Sequence, residues 1–223
     1  MDFHEYPDRE LMMLRLAQRL ASELGESLRG ADQATLSVPG GTTPGPVFDT
    51  LSGVDLEWSK VAVVLNDERW VSEDSPRSNT RLVRERLLVG RAADATLVPL
   101  RADVDTPEEG LDTLTEGLRP YLPISVLLLG MGEDMHTASL FPGADNLEAA
   151  LRSDAPPLMA MRAEAAGEPR ITLTAPVLKA AVRVHILITG AAKRDALERA
   201  AKLSPREAPI ACVLDQAQVH WAE

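Results

Sequence analysis

Asp134 and His136 stand two residues apart in LLLGMGEDMHTASLFPG, residues 127–143, directly after a run of leucines. Histidine has the side chain whose unperturbed pKa lies nearest neutrality, so it can take a proton from water and pass it on. A carboxylate two positions away in a turn can face the same space, fix the tautomer and stabilise the imidazolium. His136 is singled out because glycines surround it and a buried strand ends just before it. His4, His185 and His220 read as packed or solvated residues. One histidine with carboxylates is a poor metal-ligand set without further His or Cys nearby, so no metal site is expected.

Three other strand ends carry polar groups. After ATLSV comes PGGTTPG, residues 39–45. Gly40 and Gly41 let a backbone turn closely around a ligand, and Thr42, Thr43 and Pro44 resemble a helix opening with threonine as N-cap. Amides at a helix start make an anion site, with the hydroxyls as extra donors; the same residues also suit an ordinary capped turn. After KVAVVL comes NDERW, residues 66–70, where Asp67, Glu68 and Arg69 are placed to reach a cleft or to form a solvated ion pair. The planar fork of arginine suits a carboxylate or phosphate. Trp70 reads as a packing residue, and Asn79, in SPRSN, as part of a helix cap. After VHILITG comes AAKRDALERA, where Lys193 falls in a first helical turn, against the helix dipole. Arg170, just before ITLT, is a second cation at an element boundary. Taken alone, each reads first as a solvated surface charge; together they predict a local basic pocket.

These strand ends need a scaffold. Strands are expected at 34–38, 60–65, 124–130 and 184–190, with weaker candidates at 96–100, 158–162 and 209–214. Helices are expected at 8–28, 45–52, 78–89, 107–119, 146–152, 174–181 and 191–203. In the first helix Leu11, Leu14, Ala17, Leu20, Ala21 and Leu24 keep the spacing of one apolar face, and Pro7-Asp8 marks its start. Near-continuous apolar strands alternating with helices predict an α/β fold, a three-layer, mostly parallel doubly wound sheet with helices on both faces, in a single domain over 1–223. Ligands of such sheets bind beyond the carboxyl ends of the strands.

Composition narrows the function. The 223 residues are 45% hydrophobic with a formal net charge of −11, which argues against a nucleic-acid surface but leaves a local anion site open. No apolar run is long enough to cross a membrane. The acidic, proline-interrupted N-terminus is no secretory signal, and a cytoplasmic location is expected. The single cysteine, Cys212, reads as a small buried apolar residue.

In their order along the chain, PGGTTP, NDERWV…SPRSN, GMGEDMHTASLFPG, RITLT and ITGAAK resemble the 6-phosphogluconolactonase family over most of the sequence. The resemblance implies a fold shared with glucosamine-6-phosphate deaminases and ribose-5-phosphate isomerases. It also implies hydrolysis of 6-phospho-D-glucono-1,5-lactone to 6-phosphogluconate in the oxidative pentose phosphate pathway, without a metal or organic cofactor. His136 matches the proposed base, supported by Asp134. Arg69, Arg170 and Lys193 match substrate-binding cations, alongside Gly40, Gly41, Thr42, Thr43 and Asp67. The implied partner is a small sugar-phosphate lactone, not nucleic acid or membrane, with the chain a monomer or homodimer. The alternatives are a deaminase or isomerase of amino-sugar phosphates and a non-catalytic sugar-phosphate sensor. The deaminases resemble GxGxxGHIAFNEP, with a carboxylate soon after the histidine, whereas here the first is Asp145. One departure stands out: the family pattern reads Asp-Gly-His, and here methionine occupies the middle position. Met135 either sits in an ordinary conformation or carries strain.

Overall fold

The computed structural model describes residues 1–223, the side chain of Ala165 excepted. Along the chain run β1 (Asp2–Glu5), α1 (Arg9–Gly30), β2 (Ala34–Val38), α2 (Gly45–Leu51), β3 (Val61–Leu65), β4 (Asp67–Arg69) and α3 (Asn79–Arg86). Then come β5 (Thr96–Val98), α4 (Pro107–Leu118), β6 (Val126–Gly130), α5 (Leu147–Leu151), β7 (Leu158–Met161) and β8 (Arg170–Leu173). The chain closes with α6 (Ala175–Lys179), β9 (Arg183–Thr189), α7 (Ala191–Ala200) and β10 (Ala217–Ala222).

Seven strands form a parallel sheet in the order β1-β10-β9-β6-β2-β3-β5. Every residue of β2 and β3 is buried, as befits apolar strands covered on both faces. Leu36, Val63 and Leu128 have no exposed surface, and burying each such side chain contributes roughly 1.5–3 kcal/mol. Asp8 starts α1, its Oδ1 accepting from the Leu11 amide at 2.8 Å. The buried stripe of α1 is Met12, Met13, Leu16, Ala17, Leu20, Ala21, Glu23 and Leu24, while Leu14, expected inside, is exposed.

A smaller antiparallel sheet, β4-β8-β7, stands apart from the parallel one. The sequence pattern does not announce it, nor β1 and β10, the last two strands on one side of the large sheet. It also predicts a strand at 209–214, where the chain instead forms 3-10 turns over Pro209–Cys212 and Leu214–Gln216. Proline at position 209 lacks the N–H that a ladder needs. Asn66 sits where β3 leaves the large sheet. Its amide donates to Val38 O at 2.9 Å, its Oδ1 accepts from Ser37 Oγ at 2.7 Å and its Nδ2 donates to Leu128 O at 2.8 Å. One buried side chain thus binds the ends of β2, β3 and β6 together.

From β2 the chain builds outward through β3 and β5, then returns to β6 and builds outward the other way. The seam between β2 and β6 is the switch point of the sheet, where the loops after the two strands separate and leave a crevice.

Candidate active site

A cavity of about 310 Å³ opens at that seam, within the size range of small-molecule sites. Its walls include Gly40, Gly41, Thr42 and Thr43 after β2, and Asp67 and Arg69 on β4. His136 after β6, Arg170 on β8 and Lys193 on α7 complete the set that the sequence singled out. Asp134 stands behind His136 and outside the lining.

The loop after β6 is folded around its histidine. Gly132 N donates to His136 O at 3.0 Å, Met135 N to Gly132 O at 3.0 Å, and Thr137 Oγ1 to Gly130 O at 2.9 Å. Asp134 Oδ1 lies 2.5 Å from His136 Nδ1 and also accepts the His136 amide at 3.2 Å. The hydrogen bond to His136 holds the Asp134 carboxyl below its ordinary value. With Nδ1–H given to the carboxylate, the lone pair falls on Nε2, the nitrogen of a base. Met135 adopts a left-handed φ of 67°, so of the two alternatives left by the sequence, strain is the one observed. Its carbonyl accepts from Ile210 N at 3.2 Å, which fastens the turn.

The loop after β2 corrects an expectation. Helix α2 begins at Gly45, with Pro44 in the cap position and no side-chain cap. Thr42 and Thr43 therefore do not cap it, and both line the cavity. A Cβ on Gly40 would collide with the Asn79 amide, so glycine is required for the close approach of the two loops. Asn79 is the first helical residue of α3 and Ser78 is its cap; Asn79 lines the cavity, and its Nδ2 donates to Asp67 O at 2.9 Å.

Strand alternation along β4 sends Asp67 and Arg69 to one side and Glu68 to the other. Glu68 is buried and accepts from Arg69 N, Ser78 Oγ, Asn79 N and Thr80 N, at 2.7, 3.1, 2.9 and 2.7 Å. It is an anchor for the start of α3 and does not line the cavity. Trp70 packs on a neighbouring loop, its Nε1 donating to Asp105 O at 3.0 Å.

Arg69 and Arg170 are directly paired across β4 and β8. Like charges in that relation repel. The Nε of each is buried with no protein partner among the described residues, and an unmet buried donor is costly. An anion held between them would lower both costs. Asp67 offsets part of the charge, its Oδ2 lying 3.5 Å from Arg170 Nη1. Phe141, which the sequence reading passed over, touches the imidazole of His136 (centroids 4.3 Å apart) and lies 5.4 Å from the Arg170 guanidinium carbon. It brings base and cation to one end of the cavity.

A basic crevice with a histidine–carboxylate pair, at the carboxyl edge of a doubly wound parallel sheet, defines an α/β protein that receives a small anion beside a proton-transfer group. The family described as glucosamine-6-phosphate isomerases/6-phosphogluconolactonase matches residues 7–221. A 6-phosphogluconolactonase of Rhizobium meliloti is 42% identical over 93% of this chain and 94% of its own. One of Mesorhizobium japonicum is 40% identical over 99% and 95%. Among solved structures, a 6-phosphogluconolactonase from Shewanella baltica superposes with a TM-score of 0.97 at 34% identity, covering 100% of this chain and 98% of that one. The chain belongs to the glucosamine-6-phosphate isomerase/6-phosphogluconolactonase family.

Proposed function

We propose that residues 1–223 act as one domain that hydrolyses 6-phospho-D-glucono-1,5-lactone to 6-phospho-D-gluconate in the oxidative pentose phosphate pathway. The observation that carries this reading is the meeting of His136, backed by Asp134, with Arg69, Arg170 and Lys193 at one cavity. Lys193, Arg170 and the amides and hydroxyls of residues 40–43 hold the phosphate. Nε2 of His136 takes a proton from water as its oxygen bonds to the lactone carbonyl carbon. Asp134 stabilises the imidazolium that forms. Charge on the carbonyl oxygen is met by Arg69 and loop amides. The ring C–O bond then breaks, and the imidazolium returns its proton to the departing ring oxygen. Water is the only co-substrate the reaction needs, so the cycle balances without a cofactor. The same reading places the protein in the cytoplasm, as a monomer or homodimer, and no described helix is long and apolar enough to cross a membrane.

The deaminase alternative calls for a free carboxylate soon after the histidine. Asp145 is the first one, and its Oδ1 already accepts from the Asn146 and Arg162 amides, both at 2.8 Å. Following the lactone by phosphorus NMR against its spontaneous hydrolysis tests the proposal. Acceleration by the wild-type protein is expected, with no ammonia released from glucosamine 6-phosphate. Ammonia release without lactone turnover would replace this reading with the alternative.

A further inference from the structure

Asp67 lines the cavity, yet the reaction above gives it no role and leaves open what fixes its carboxylate. We propose that Ser139 is a positioning residue that locks Asp67 in one orientation, so that its free oxygen accepts a hydrogen bond from a sugar hydroxyl. The inference rests on the sugar-lactone reading and adds a specificity element to it.

Ser139 has no exposed surface, and its Oγ donates to Asp67 Oδ2 at 2.5 Å. Arg170 Nη1 approaches the same oxygen at 3.5 Å. Two donors therefore converge on Oδ2. Among the described residues no protein donor reaches Oδ1, while Asp67 lines the cavity. The backbone is arranged to make this contact. Ala138 takes a left-handed φ of 49°, a conformation alanine rarely adopts. It turns the chain so that Ser139 leaves the base loop and reaches the small sheet. Ser139 N donates to Thr172 Oγ1 at 3.1 Å, and Thr172 is the direct cross-strand partner of Asp67. Thr172 Oγ1 in turn donates a hydrogen bond to Leu173 O at 3.0 Å. The Ser139 and Thr172 hydroxyls are thus committed as donors within the protein, and Oδ1 is the Asp67 oxygen left without a protein donor among the described residues.

The chemistry assigns that acceptor to a hydroxyl. A carboxylate oxygen repels the phosphate, which belongs with the cations and the residues 40–43. It accepts well from an uncharged O–H, and the lactone ring carries three of these. Asp67 then reads the sugar while the cations read the phosphate. Ser139 does neither, but sets the carboxylate angle on which the first depends.

The test is a double-mutant cycle on Ser139→Ala and Asp67→Asn, read by calorimetric titration with 6-phosphogluconate and with inorganic phosphate, alongside lactone kinetics. For Ser139→Ala the sugar acid is expected to bind about tenfold more weakly, as fits loss of one charge-assisted hydrogen bond. Inorganic phosphate should change by less than about twofold, KM should rise more than kcat falls, and the pH profile of kcat should keep its shape. The double variant should bind the sugar acid no more than about twofold worse than Asp67→Asn alone, since the two act through one contact. Multiplying effects, or equal weakening toward inorganic phosphate, would overturn the role of Ser139. If the wild-type protein turns over the lactone while the cycle is additive, only this inference falls. If it neither binds 6-phosphogluconate nor hydrolyses the lactone, the reading beneath it falls as well.

Discussion

Gly132 shows how closely the proton-transfer pair is boxed in. A Cβ at that position would fall on both the His136 ring and the Asp134 carboxylate. Gly132→Ala must therefore push one of them aside, and misplacement of about 1 Å can cost about 10²-fold in rate. The expected result is a comparable loss of kcat with a melting temperature close to wild type; unaltered turnover would show that the pair needs no such fit. Lys193 makes the contrasting prediction. It forms no ion pair among the described residues, so Lys193→Ala should raise KM more than it lowers kcat, and an unchanged KM would remove it from phosphate binding. These residues were legible because each stands in a polar cluster immediately after an apolar run. Asn79, Ser139 and Phe141 were not, because an Asn beside a helix cap, a buried serine and a buried phenylalanine all have ordinary structural uses. Only their contacts with Gly40, Asp67 and His136 reveal the rest.

The smallest elements carry much of the site. Strand β4 spans three residues, too few to show a period of two in the sequence. Its pairing with β8 nonetheless decides that Asp67 and Arg69 face the cavity while Glu68 turns to α3. Glu68 takes four donors in a buried setting. Removing it in Glu68→Ala leaves them unmet, and a loss of about 2–4 kcal/mol is expected in urea unfolding. A loss below about 0.5 kcal/mol, the level of an ordinary surface change, would mean that the anchor is dispensable. Ala17, Leu20, Ala21 and Leu24 of the face expected for helix α1 are buried, but Leu14 is exposed and Met12, Met13 and Leu16 are buried instead. The helix's apolar residues at 11, 12, 13, 14, 16 and 17 cover more than one face, so spacing alone does not choose the buried side. The choice follows from tertiary contacts of the stripe that includes Glu23, whose Oε2 meets His185 Nε2 at 2.7 Å.

Across the molecule, that contact begins a buried chain joining α1, β9, β10 and the segment after β1. His185 Nδ1 lies 3.0 Å from His220 Nε2, and His220 Nδ1 lies 2.9 Å from Tyr6 Oη. Glu23 is the terminal acceptor of this chain, taking the His185 Nε2–H. Burial first, then His185, His4 and Arg19, pushes His220 down to about 3. An unfolded histidine titrates near 6.5. Between these values the unfolded chain binds the extra proton, so this contribution is fully present above about pH 6.5 and is lost as pH falls toward 3. The melting temperature should therefore drop between pH 6.5 and 4.5, less steeply in His220→Gln; equal slopes would place the sensitivity elsewhere. Of the whole-molecule features, the parallel sheet and its ligand edge were legible from strand composition. The seam between β2 and β6 was not, because strand order depends on pairing between distant segments. That seam is what joins base and cations, and the most direct test of the union is kcat/KM for the lactone in His136→Ala. A fall of about 10²–10⁴-fold is predicted for loss of a general base, with 6-phosphogluconate still bound. Turnover near the wild-type value would contradict the account.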